Sequence, residues 1–444
     1  MKIIRIGLCM MFAFSVLAFG GVEVWGESII EISAAILLLI WAVFAYRNPS
    51  AKIQWNELNW PLLGFVAIGL FQLLLHGTAY PFLTRVEVLK LLAYFVVFFL
   101  TVQAFRTKSD FLGLAWFLIL FCFAVSLLAI IQHFTSVKEI YWLSELNIQG
   151  DPFGPFPNRN HFAGFVELTL PIGLALMVFR GMRRDLFPLA AVLTIVPVSA
   201  MILSGSRGGI ISFAFEVCVL TLLVRSRKGT ESPRMAAVGI VALAALALIA
   251  WIGAGKAIER FSTLSAKDVS LGRRASMFRG AAGVFFDHPI KGSGLGALIA
   301  VYPRHETEYD GYVVEHVHND YIEALAETGI LGGLCGLSFL WLLYREARKN
   351  FEAEQGHFSR ALHAGAIVAL SGLLLHSFFD FNLHIPSNAM LFLLQACIAT
   401  SVPLPSDSRA ASHDPGLRKN FIANNEPSSS LRGRMALVRR TRRR

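Results

Sequence analysis

Three groups of polar residues interrupt an otherwise apolar chain, and their types suit binding an anion and moving a proton. Asn158, Arg159, Asn160 and His161 place side-chain donors at four consecutive positions after the turn Gly154-Pro155-Phe156-Pro157. Ordinary helix capping by Asn160 is the plain alternative there. Ser204-Gly205-Ser206-Arg207-Gly208-Gly209 joins two apolar runs through a loop too short to leave the membrane boundary. Arg207 then combines a forked guanidinium with the free N–H groups of a helix start, which makes an anion site; a snorkelling arginine in a tight turn is the alternative. The third group is the segment 256–319, which carries Arg260, Arg273, Arg274, Arg279, Lys291 and Arg304 and runs into His316-Val317-His318-Asn319-Asp320.

His318 lies just ahead of a well-signed helix start, where Asn319 or Asp320 caps and Glu323 follows Asp320 by three residues. A neutral imidazole there accepts a proton, as a general base must. Asp320, Glu323 and Glu327 fall at i, i+3 and i+7, one acidic stripe that has to face the protein interior in a membrane helix. His316 and His318 also have the spacing of a metal pair, but no third ligand is fixed by spacing, so no metal site is expected; a structural capping histidine is the other reading. His376 and Asp380, four apart with His384 after them, are open between a pair supporting the site and a simple helix-end hydrogen bond. Within the long segment, Arg273 to Phe286 is punctuated as an amphipathic helix stopped by Asp287-His288-Pro289, with residues 274, 278, 281 and 285 on one face. The turn Gly292-Ser293-Gly294-Leu295-Gly296 is a weak phosphate signal alone. Gly329, Gly332, Gly333 and Gly336 point to close helix packing.

The elements that must position these groups follow from composition. The chain has 444 residues, 55 % hydrophobic and 16 % charged, too apolar for a water-soluble domain. It is therefore read as an all-α polytopic membrane protein of about twelve spans, near 3–22, 28–46, 60–76, 86–105, 110–132, 161–180, 186–204, 208–224, 235–255, 320–344, 361–379 and 385–402. One long periplasmic loop, 256–319, holds short helices. A cleaved signal peptide is the alternative for the first run, but its length and the lack of a small-x-small site favour a retained anchor. With the N-terminus inside, seventeen Lys and Arg fall in cytoplasmic segments and four in the short outer loops, Arg85, Lys138, Arg159 and Arg207. That bias puts both termini in the cytoplasm and the polar groups above on the outer face. Residues 1–402 form the membrane domain and 403–444 a basic, disordered cytoplasmic tail. The tail's arginines lack interleaved aromatics, so anionic membrane lipid rather than nucleic acid is the expected contact. Cys9, Cys122, Cys218, Cys335 and Cys397 all fall inside expected spans and read as small core residues without disulfides.

His318-Asn319, nine residues and then Gly329-Ile330-Leu331-Gly332 resembles the signature of the O-antigen ligase and polymerase superfamily. The ordered set of Gly-Pro-Phe-Pro-Asn-Arg-Asn, Ser-Gly-Ser-Arg-Gly, an Arg fourteen residues before His288-Pro289 and a Gly-x-Gly-x-Gly turn is similar to the same superfamily across residues 150–340. The resemblance implies an inverting, metal-independent, membrane-embedded glycosyltransferase without cofactors in the bacterial inner membrane. Its donor would be an undecaprenyl-pyrophosphate-linked glycan and its acceptor lipid A core or another glycan. It implies that Arg207 and Arg274 meet the pyrophosphate and that His318 is the base. Arg273 competes for the second arginine's role, the spacing favouring Arg274. Asn158, Arg159, Asn160, Asn319, His316 and Glu323 would contact sugar. Phe278 stands where the superfamily usually has Trp. Ligase, polymerase and protein-glycosylating members share these residues, so the acceptor is not readable; a lipid-linked glycan transporter is the competing class.

Overall fold

The computed structural model describes residues 1–49, 52–136, 139–145, 151–225, 269–307, 311, 313–354 and 356–404. The expected span 235–255, the loop residues 256–268 and nearly all of the basic tail lie outside them.

Apart from loops and turns, the described residues form helices and one two-stranded antiparallel pair, Glu139–Ile140 with Ser144–Glu145. In chain order the helices are α1 (Lys2–Leu17), α2 (Val24–Arg47), α3 (Asn59–Leu74), α4 (Pro81–Ala104), α5 (Lys108–Thr135), α6 (Arg159–Val178), α7 (Phe187–Ser204), α8 (Arg207–Arg225), α9 (Val269–Asp287), α10 (Leu298–Val301), α11 (Asp320–Ala353), α12 (His357–His376) and α13 (Pro386–Thr400). Eight of these are long and apolar enough to cross a membrane, and α3 and α13 are shorter apolar helices. Eleven of the twelve expected spans thus coincide with helices. The first stops at Leu17 rather than residue 22, because Gly20 and Gly21 take positive φ and turn the chain. α11 runs on to Ala353, nine residues past the expected end, through Arg345, Arg348 and Lys349, whose side chains leave the apolar stretch.

α6 is the axis of the bundle. Every residue from His161 to Val178 is buried, which an all-round apolar helix requires, and α5, α7, α8, α12 and α13 pack around it. α2 shows the opposite pattern, with most of its apolar side chains outward, as a lipid-facing helix has them. α9 lies on α11 outside this core: Met277, Ala281 and Val284 form a second apolar cluster with Leu298, Val314, Val317 and Ala326.

α11 is interrupted at Gly329, which has φ 62° and ψ −161°. That conformation is open to glycine alone. The N–H groups freed by the break are taken up by the loop after α9: Ile330 N donates to Pro289 O at 2.8 Å and Leu331 N to Ile290 O at 3.3 Å. A Cβ at Gly329 would meet Ile290 O at 2.4 Å. The Gly-rich turn 292–296 completes the strap, since Ser293 N and Gly294 N donate to the Ala326 and Glu327 carbonyls. This turn therefore serves helix packing.

Candidate functional site

Asn160, His161, His318 and Asp380 meet at one end of the bundle, where α6 and α11 begin and α12 ends. Asn319 caps α11, its Oδ1 accepting from Tyr321 N and Ile322 N at 3.0 Å each, while its Nδ2 donates to Phe378 O. Of the two candidate caps it is the one used. His318 precedes it in a left-handed backbone conformation, φ 54°, uncommon for a residue with a side chain. The turn aims the ring across to the α12–α13 connection, where Nδ1 lies 3.0 Å from Asp380 Oδ1. A carboxylate only accepts, so Nδ1 is the donor. The ring is about a quarter exposed and stands edge-on to Phe381.

Asp380 is fully buried and is shared. Asn160 Nδ2 donates to Oδ2, Phe381 N donates to Oδ1 at 2.9 Å, and His161 Nε2 stands 3.8 Å from Oδ1. Burial alone would raise this carboxyl, but hydrogen bonds and charge from His161 and His318 hold it well below the usual carboxylate range. Asn160 is thus a partner of Asp380. The helix cap is Asn158, whose side chain accepts from Asn160 N at 2.9 Å, and Arg159 is ion-paired with Asp151.

Beside this lies a second cluster. Glu323 is 1 % exposed; Oε1 pairs with His316 Nδ1 at 2.6 Å and His384 Nε2 at 3.4 Å, and Oε2 accepts from Val317 N at 3.0 Å. Both oxygens are engaged, so Glu323 braces the His316–His318 loop where a sugar contact was expected. Asp320 receives His384 Nδ1 at 2.8 Å and Leu383 N at 3.2 Å. Burial opposes the charge on His384, yet the field of Glu323 and the hydrogen bond to Asp320 push its pKa up to about 10. His316, Glu323 and His384 offer three ligand atoms within 4.8 Å of one another and could hold a metal ion, with Asp320 orienting His384 from behind. His384 is the third candidate that spacing did not fix, and its two ring nitrogens already face Asp320 and Glu323.

Arg207 opens α8, half-buried, with Ser206 as the residue that caps the helix through Gly209 N at 3.1 Å. The next residue, Gly208, lies against the ring of His376 at the end of α12. Arg273 and Arg274 are half-buried on α9, Arg274 in line with Ala281 and one turn ahead of Met277. Met277 and Ala281 belong to the same apolar cluster as Val317, the neighbour of His318. Both arginine-bearing helices are therefore anchored on segments that carry His318 or the Asp380 turn.

Residues 189–337 match the sequence model of the O-antigen ligase family, so the resemblance read from the motifs is found independently. The chain is 25 % identical over 265 residues to the teichuronic acid biosynthesis protein TuaE of Bacillus subtilis (strain 168), a match covering 56 % of this chain and 51 % of that protein. The chain thus spans about half the length of the curated relative it matches.

Proposed function

We propose that this integral membrane protein transfers glycan from an undecaprenyl-pyrophosphate-linked donor to an acceptor hydroxyl on the periplasmic face of the inner membrane, as an O-antigen ligase-like, inverting, metal-independent glycosyltransferase. The observation that carries the reading is the His318–Asp380 pair, 3.0 Å apart, with support from Gly208, the neighbour of Arg207, which lies against the ring of His376. His318 Nε2 takes the proton as the acceptor oxygen attacks the anomeric carbon. The bond from that carbon to pyrophosphate breaks on the opposite side, and lipid pyrophosphate leaves with charge that the arginines offset. Asp380 fixes the tautomer and stabilises the imidazolium. Residues 1–402 serve as the membrane domain and 403–444 as its cytoplasmic tail.

Joining repeat units is the second reading, favoured by the match to a protein named for teichuronic acid biosynthesis. It uses the same residues and differs only in acceptor.

The test is transfer in proteoliposomes with defined undecaprenyl-pyrophosphate oligosaccharide, offering lipid A core and the donor itself as acceptors. His318→Ala and Arg207→Ala should each lose at least about 100-fold while remaining folded, and EDTA should leave the native rate unchanged. Full activity in His318→Ala removes the assigned base. Loss with EDTA, restored by a divalent ion, would instead make the His316–Glu323–His384 cluster a working metal site. Passage of the lipid across the bilayer without transfer supports a transporter.

A further inference from the structure

His376 closes α12 with its ring wedged between two elements. On one side Nδ1 lies 2.9 Å from Glu167 Oε1 on α6, and both residues are essentially inaccessible to solvent. On the other side the ring abuts the first turn of α8. A Cβ on Gly208 would meet its Nε2 at 2.6 Å and Cδ2 at 2.7 Å, and one on Gly209 would meet Ala163 Cβ at 2.5 Å and Glu167 Oε1 at 3.3 Å. The two glycines after Arg207 therefore give way to the ring and to its carboxylate partner. The main chain of His376 faces the other half of the site: its carbonyl accepts from Phe379 N at 2.7 Å and Asp380 N at 3.1 Å, which makes the turn that points Asp380 at His318. Ser377 O accepts from Asp320 N at 3.0 Å at the start of α11.

We propose that the buried Glu167–His376 pair is a positioning device that sets the seat of Arg207 relative to His318, resting on the roles given to those two residues above. A histidine ring otherwise turns freely over a broad range of χ2, and any turn here pushes the backbone of α8. Glu167 removes that freedom from the far side of the ring. Neither residue is placed to touch substrate. Their effect reaches the reaction through the distance between a phosphate-binding guanidinium and a base, where about 1 Å of misplacement costs on the order of 100-fold.

The test uses the full chain in proteoliposomes with undecaprenyl-pyrophosphate oligosaccharide. Glu167→Ala should lower kcat about 10-fold or more with a smaller change in donor KM, whereas Glu167→Gln, whose amide oxygen accepts the same bond, should stay within about 3-fold of native. Gly208→Ala, which drives a methyl group into the ring, should match Glu167→Ala. The deciding measurement is a double-mutant cycle on the residual transfer of Arg207→Ala: in that background Glu167→Ala should cost less than about 2-fold, because the group it places is gone. An equal loss with and without Arg207, or Glu167→Gln falling as far as Glu167→Ala, overturns the inference and leaves the transferase reading intact. Full activity in Arg207→Ala overturns the inference together with the role given to Arg207, while transfer itself stands. Should Glu167→Ala fail to fold, by thermal midpoint in detergent, Gly208→Ala decides in the same cycle.

Discussion

Asp380 accepts hydrogen bonds from Asn160 and His318, side chains from distant parts of the chain. Replacing it with Asn removes the charge that supports an imidazolium and turns an amide N–H toward one of its donors. Asp380→Asn should therefore lower kcat by about 10² to 10⁴-fold with little change in donor KM; native turnover in that variant would separate Asp380 from the base. His384 makes a second prediction. Its pKa is raised from 6.5 to about 10, so the folded chain binds more protons than the unfolded one across that range. The stabilisation is whole below pH 6.5 and is lost as pH rises through 10. The thermal midpoint in detergent should fall over that window, and His384→Gln should flatten the fall; an unchanged slope would mean the pair contributes nothing. His318, Asn160 and the acidic stripe were legible because polar residues at a membrane boundary have few bland explanations. The partnership of His318 with Asp380 was not, since 62 residues separate them and a His–x3–Asp pair at a helix end is satisfied equally well by itself.

The spans were legible because burial in lipid demands long apolar runs. The break inside α11 was not. Gly329, Gly332 and Gly333 read alike as small packing residues, and only the backbone shows that one of them interrupts the helix to receive the loop from α9. Gly329→Ala should destabilise the protein by about 2 kcal/mol or more, combining an unfavourable φ with a clash against Ile290 O. A thermal midpoint equal to native would contradict that geometry. Glu167 and Glu216 are the polar residues that reasoning from motifs passed over. Each sits alone in an apolar run with no motif around it, and the signal that could have found them was their charge at membrane depth.

At the scale of the whole molecule, the charge bias predicts which face the site occupies. In a cysteine-free background, Gly311→Cys should react with a membrane-impermeant maleimide in intact spheroplasts, and His357→Cys, at the start of α12, only after permeabilisation. The reverse pattern would invert the topology and move the site to the cytoplasm. One further consequence concerns order of synthesis. The arginines of α8 and α9 and the imidazole of His318 are all made before α12 and α13, yet Asp380, His376 and His384 lie between or within those last two helices. On the proposed roles, a nascent chain that has inserted through α11 has its base without a carboxylate to orient it, and Glu167 is waiting for its ring. On those roles the site is therefore closed only when the α12–α13 hairpin has been made and packed, after every arginine and imidazole assigned to the reaction.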